Sequence, residues 1–228
     1  MKDEDLWKRV DRYIEQQLVP QDPPLATAIT ASAAARLPAI AVSAAQGKML
    51  HLLARLMQAR RILEIGTLGG YSTIWLARGL APGGTLVTLE ADAHHADVAR
   101  SNLARANLAA TVDVRTGAAL DTLPALEREG GPPFDLVFID ADKANNPAYI
   151  EWAVRLGRAG TLIVVDNVVR EGEILEATST DEAVRGTRRA FQFVGAHPRL
   201  AATAIQTVGS KGHDGFLLAL VTGAGAQP

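Results

Sequence analysis

FDLVFIDADKANNPAYIEWAVRLGRAGTLIVVDN, residues 134–167, places two nearly continuous apolar runs, each ending in an aspartate, on either side of a helix-length stretch. Apolar runs without polar alternation fit strands buried on both faces, and strand-helix-strand order implies a right-handed crossover between parallel neighbours. Upstream, Arg61 to Ile65, Thr85 to Glu90 and Thr111 to Arg115 repeat the theme of short apolar runs separated by helix-length segments. Downstream, a helix over about Asp181 to Ala196 precedes Ala201 to Thr207 and Phe216 to Thr222. These two runs have no helix between them and read as an antiparallel pair. The expected class is therefore α/β: a mostly parallel sheet with an antiparallel C-terminal hairpin and helices on both faces.

Residues 5 to 59 read as helical. Leu6, Val10, Tyr13, Ile14 and Leu18 keep helical spacing, Pro20, Pro23 and Pro24 interrupt it, and a second helix runs to about Arg36. Ser43 and Gln46 form a capping-box pattern before Met49, Leu50, Leu53 and Leu56, so a third helix should end near Ala59. With 228 residues, 48% of them hydrophobic, one domain with a two-sided core is the expectation: a helical extension over 1–59 and an α/β core over 60–222.

A net charge of -2 leaves no basic excess for phosphates, which disfavours a nucleic-acid partner. The opening MKDEDLWKRV lacks the apolar stretch of a signal peptide, and no apolar run reaches membrane-spanning length, so no membrane partner and a cytoplasmic location are expected. There are no cysteines; any metal must be held by oxygen or histidine.

In open parallel sheets, ligands bind beyond the carboxyl ends of the strands. The first such end reads Leu63-Glu64-Ile65-Gly66-Thr67-Leu68-Gly69-Gly70-Tyr71-Ser72. Its G-x-x-G-G spacing differs from the G-x-G-x-x-G of a dinucleotide loop and is compatible with a plain glycine turn or with nucleotide binding. Glu90, at the second end, can accept from both ribose hydroxyls of an adenosine, as NAD and S-adenosylmethionine (SAM) would both require, or can cap the next helix, a role also open to Asp92. The fourth and fifth ends are Phe138-Ile139-Asp140-Ala141-Asp142-Lys143 and Val164-Val165-Asp166-Asn167. If these strands pair, Asp140, Asp166 and Asn167 converge, and two carboxylates with an amide oxygen suit Mg²⁺.

EIGTLGGYS, FIDADK and VVDNVV, in that order, resemble the cation-dependent O-methyltransferase family that includes the caffeoyl-CoA and catechol O-methyltransferases. The resemblance covers about residues 38 to 222. It implies a Rossmann-like SAM-methyltransferase sheet and transfer of the SAM methyl group to one hydroxyl of a small catechol-type acceptor. By the same resemblance Val42, Glu64, Gly66, Thr67 and Ser72 lie at the methionine part of SAM, Glu90 at the ribose and Ala119 beside the adenine, with Asp142 at the amino-acid end. Asp140, Asp166 and Asn167 are implied as ligands of a divalent cation, Mg²⁺ or else Mn²⁺ or Ca²⁺, with Asp140 also bordering the cofactor. Lys143 matches the general base, its plainer alternative being a surface lysine at a helix start. A homodimer is implied as well. Arg170 and Glu171 depart from the plant members, which carry an aromatic residue and an Asn there.

Two rival functions remain at this level: a SAM-binding protein without transferase activity, and a NAD-dependent dehydrogenase, which leaves both Asp-bearing strand ends without a role. His94 and His95 read as exposed helix residues, and His51 as a partly buried core histidine. His213 and Asp214 read as a turn before the last strand. Arg185, Arg188 and Arg189 read as a solvated face, and Trp7, Trp75 and Trp152 as packing residues.

Overall fold

A computed structural model describes residues 3–19 and 22–223. The proposed helix break at Pro20 lies outside the described residues. Three helices come first: α1 (Asp3–Leu18), α2 (Pro23–Ala34) and α3 (Ala44–Leu56). Asp22 caps α2 by accepting from the Leu25 amide at 3.4 Å, with proline in the first turn, where no donor is lost. Ser43 Oγ accepts from Gln46 N at 3.2 Å and starts α3 where the capping pattern predicts. That helix ends at Leu56, three residues early, because Gln58 turns left-handed at φ 49°.

The core follows as β1 (Arg61–Ile65), α4 (Tyr71–Gly79), β2 (Thr85–Glu90), α5 (Ala93–Arg105), β3 (Val112–Thr116), α6 (Ala119–Glu129), β4 (Phe134–Ile139), α7 (Asn146–Leu156), β5 (Gly157–Asp166), α8 (Glu182–Ala196), β6 (Leu200–Gly209) and β7 (Gly212–Val221). They build one seven-stranded sheet in the order β3-β2-β1-β4-β5-β7-β6. The first five strands pair in parallel, while β7 runs antiparallel to both β5 and β6. Chain direction reverses its spread between β1 and β4, and that gap is the switch point where a ligand crevice opens.

Helices cover both faces. Val137 and Ile139 of β4 join Leu123, Ile150 and Ala190 on one face, and Leu136 and Phe138 join Leu50, Ile74 and Leu103 on the other. Period-2 alternation explains that division, and a register shift between Phe134 and Leu136 puts Phe134 on the same face as Val137. Burying each such side chain stabilises the fold by about 1.5–3 kcal/mol.

One reading changes. β7 begins at Gly212, so His213 and Asp214 lie inside the strand, paired with Val208 and Thr207, and form no turn before it. The helix read from the spacing of Leu6, Val10, Tyr13 and Leu18 is present as α1, with these four residues exposed. No helix among the described residues is long and apolar enough to cross a membrane.

Candidate active site

The loop after β1 owes its glycines to its neighbours. Gly66 has φ 100°, and a Cβ there would meet the Asp140 carbonyl oxygen at 2.3 Å; a Cβ at Gly69 would meet Ser32 Oγ at 2.0 Å. Gly70 sits left-handed at φ 81° and opens α4. At Gly66 the positive φ and the backbone of Asp140 together require glycine, which packs the β1 loop against the end of β4, while Gly69 leaves room for the Ser32 hydroxyl of α2.

Glu90 shapes the same loop from β2. Its Oε2 accepts from Thr67 N at 3.1 Å and Leu68 N at 2.7 Å, and its Oε1 accepts from Asp92 N at 3.0 Å. Asp92 is the cap of α5, accepting from the His94 and His95 amides. His95 Nδ1 stands 3.7 Å from Glu90 Oε1.

These groups border a cavity of about 600 Å³ at the switch point. Gly66, Thr67 and Ser72 of the first loop line it, with Glu90 and Ala119 at one end. Val42, Asp140, Asp142, Lys143 and Asn167 line the remainder. Glu64 is placed differently from the expectation of ligand contact. It has no exposed surface, does not line the cavity, and accepts from Ser72 Oγ (2.6 Å), Thr73 Oγ1 (2.5 Å) and Thr88 Oγ1 (2.7 Å) beneath it. Burial pushes its carboxyl up to about 7 against the pull of those three hydroxyls. Its influence on a ligand therefore passes through Ser72, which faces the cavity.

Asp142 is held by Tyr149 Oη, which donates to Oδ1 at 2.5 Å, and by Asn145 Nδ2, which donates to Oδ2 at 2.7 Å. Burial and the adjacent Asp142 carboxylate raise the Tyr149 phenol well above its ordinary range, so it stays a donor. Tyr149 and Tyr71, neither given a role from sequence, both line the cavity; the signal was that Tyr71 lies within EIGTLGGYS and Tyr149 shortly after FIDADK.

Parallel pairing of Ile139 with Val165 brings the next residues, Asp140 and Asp166, to adjacent strand ends. Lys143 Nζ donates to Asp140 Oδ1 at 2.7 Å, and its side chain is only 9% exposed, which removes the surface-lysine reading. Burial and the Asp140 carboxylate raise Asp166 to about 7, partly opposed by Lys143. Asn167, left-handed at φ 56°, lines both this cavity and a second one of about 490 Å³, which Asp166 also lines. No three His, Cys, Asp or Glu side chains among the described residues form a metal-holding group; a cation here would need the Asn167 amide oxygen as its third donor. Two carboxylates facing one ammonium leave an excess negative charge, and that hard oxygen set fits a divalent cation.

The second cavity is walled by the Ala39–Ser43 segment, Gln46 and Met49 of α3, and the tip of the β6–β7 hairpin with Phe216. Its mixed apolar and polar lining suits a small organic molecule beside the Asp166–Asn167 end. The remaining candidates are structural. His51 Nδ1 lies 3.3 Å from the Trp75 carbonyl, and His94 Nε2 2.9 Å from that of Ala35. Arg188 and Arg189 donate to the Ile174 and Ala144 carbonyls, tying α8 to its neighbours.

The O-methyltransferase family profile matches residues 19–220. The chain is 62% identical over 212 residues to a catechol O-methyltransferase of Mycobacterium tuberculosis, covering 93% of this chain and 94% of that one. It is 51% identical over 216 residues to a catechol O-methyltransferase of Niastella koreensis, covering 95% and 98%. The crystal structure of an O-methyltransferase from Bacillus cereus in complex with SAH superposes with a TM-score of 0.95 at 58% identity, over 96% of this chain and 99% of that one.

Proposed function

From the premise that this chain belongs to the O-methyltransferase family and is a SAM-dependent O-methyltransferase, we propose that it methylates one hydroxyl of a small catechol-type acceptor held with a divalent cation. What supports the reading is the pairing of β4 with β5, which sets Asp140 and Asp166 at neighbouring strand ends near buried Lys143, with Asn167 bordering both cavities. The relatives of that name at 51–62% identity support the acceptor class.

In this reading the larger cavity takes SAM. Glu90, its orientation set by three backbone amides, receives the ribose hydroxyls on its remaining lone pairs, and Ala119 borders the adenine. Asp142, fixed by Tyr149 and Asn145, takes the α-ammonium. Gly66, Thr67, Ser72 and Val42 enclose the methionine chain, with Glu64 supporting Ser72 from below. Asp140, Asp166 and Asn167 hold the cation, Mg²⁺ by the hardness of the donors. When bound there, a divalent cation would supply Lewis acidity toward the acceptor hydroxyl. Lys143, as the neutral amine left once its own proton has gone to solvent, takes the proton of the reacting hydroxyl, while the walls of the second cavity align that oxygen with the methyl carbon; such alignment contributes several kcal/mol.

The exposed apolar residues Leu6, Val10 and Tyr13 of α1, with Ile205 and Val208 of β6, support a homodimer. Absence of cysteine suits a cytoplasmic setting, and the net charge of -2 argues against a nucleic-acid partner.

Methyl transfer from labelled SAM to a panel of catechols, with Mg²⁺ and with a chelator, tests the reading. Chelator-sensitive product on a vicinal diol is expected. Product that survives chelation overturns the cation, and no product on any diol overturns the acceptor class.

A further inference from the structure

Asn167 follows Asp166 with a left-handed backbone, and two more non-glycine residues, Arg170 and Glu171, adopt the same region at φ 54° and 55°. L-residues avoid that conformation, and it persists only where surroundings hold it. Asn167 tolerates it and its backbone amide donates to Asp166 Oδ1 at 2.9 Å, but Arg170 and Glu171 have no comparable local support, since VVDNVVREG has glycine only at Gly172.

The hold comes from β7. Asp214 Oδ1 accepts from Val169 N at 3.0 Å, Arg170 N at 3.0 Å and Gly215 N at 2.9 Å. Beside it, Val168 N donates to the Gly215 carbonyl at 3.1 Å. The tie is reciprocal, because Glu171 Oε1 accepts from His213 N at 2.9 Å. Gly215 makes the approach possible: a Cβ there would meet Val169 Cγ2 at 2.8 Å and the Ile205 carbonyl at 2.3 Å. Asp214 thus gathers the amides of the segment that leaves the Asp166–Asn167 end, and all three residues line the same cavity.

We infer that Asp214 is the positioning residue of the cation site: by accepting the Val169 and Arg170 amides it fixes the left-handed turn that sets Asn167 beside Asp166. The inference rests on the cation reading above. Its physical basis is that a donor set holds a metal only as well as the groups behind it fix its spacing. Asp214 lines only the second cavity, and Glu90 and the β1 loop contribute to the larger one from the opposite side of the switch point, so the tie should bear on the cation far more than on SAM.

Calorimetric titration of the full-length chain with Mg²⁺, and separately with SAM, tests it on wild type, Asp214→Ala and Asp214→Asn. Asp214→Ala is expected to weaken Mg²⁺ binding about tenfold or more while leaving SAM affinity unchanged. Asp214→Asn keeps an oxygen for the same amides and should restore most of the affinity. An Asn variant as poor as the Ala variant would mean that only the charge matters and would overturn the positioning role, as would an Ala variant that binds Mg²⁺ like wild type. Should Asp214→Ala not fold, Asp214→Ser replaces it, its hydroxyl being too short to reach both amides. Wild type that binds no Mg²⁺ sinks the cation reading and this inference together, whereas equal binding in wild type and variant sinks this inference alone.

Discussion

Lys143 Nζ lies 2.7 Å from Asp140 Oδ1, and the side chain so held is nearly closed off from solvent at the edge of the larger cavity. Asp140 in turn is pinned through its backbone, its amide donating to the Ile65 carbonyl at 2.8 Å. The pair therefore sits just past the end of β4, with Asp140 anchored to β1 and Lys143 at the start of the short turn that follows. A group positioned this rigidly can act on a substrate proton without reorganising first.

Lys143→Ala should lower kcat by about 100-fold or more, the usual contribution of a positioned acid or base, with SAM affinity nearly unchanged. Single-turnover rates on a catechol, set beside SAM titrations, separate the two effects. An unchanged rate would remove Lys143 from the chemistry.

Tyr149→Phe removes the donor to Asp142 Oδ1 but preserves the ring that fills the core at 3% exposure. Loss of one hydrogen bond to a charged group is worth about 1.5–3 kcal/mol, so SAM should bind at least tenfold more weakly while kcat at saturating SAM is retained. A loss of kcat with unaltered KM for SAM would place Asp142 elsewhere in the mechanism.

Glu64→Gln should change the pH dependence of stability. Burial raises the Glu64 carboxyl from 4.5 to about 7, so the folded chain keeps a proton that the unfolded chain gives up. Stability from this group is intact below pH 4.5 and is lost as pH rises through the window up to about 7, by on the order of 3 kcal/mol. Relative to wild type, the Gln variant should gain stability between pH 5 and pH 8 in urea titrations. A constant difference across that range would show that Glu64 is ionised in the fold throughout.

Gly186→Ala probes the support behind Lys143. A Cβ at this position of α8 would meet the Lys143 carbonyl oxygen at 2.2 Å and Ala144 Cα at 2.6 Å, so the short 3-10 turn Lys143–Asn145 must move. We expect kcat to fall more than tenfold, since a displacement of about 1 Å near a reacting group can cost as much as 100-fold. Stability should fall by about 1–3 kcal/mol, the cost of overpacking. Thermal unfolding and kcat measured on the same preparation would show whether the turn gives way instead.

The period of the apolar residues was enough to read the α/β class, the parallel run of strands and the closing antiparallel pair, because burial on two faces leaves a pattern that needs no partner to be named. The same pattern placed Asp140 and Asp166 at strand ends, and EIGTLGGYS, FIDADK and VVDNVV carried the family likeness. Strand order was decided only in space: β4 sits beside β1, and that neighbour relation makes Gly66 obligatory through the Asp140 carbonyl 74 residues away. Glu64 lies beneath the loop and not in the cavity because three hydroxyls from two elements close over it. Asp214, which sequence alone assigned to a turn, reaches back 44 and 45 residues to the Arg170 and Val169 amides because β7 runs antiparallel to β5. Local pattern reports what each segment buries; which side chain meets which backbone amide across the sheet depends on the packing of segments far apart in the chain, and that the tertiary structure alone decides.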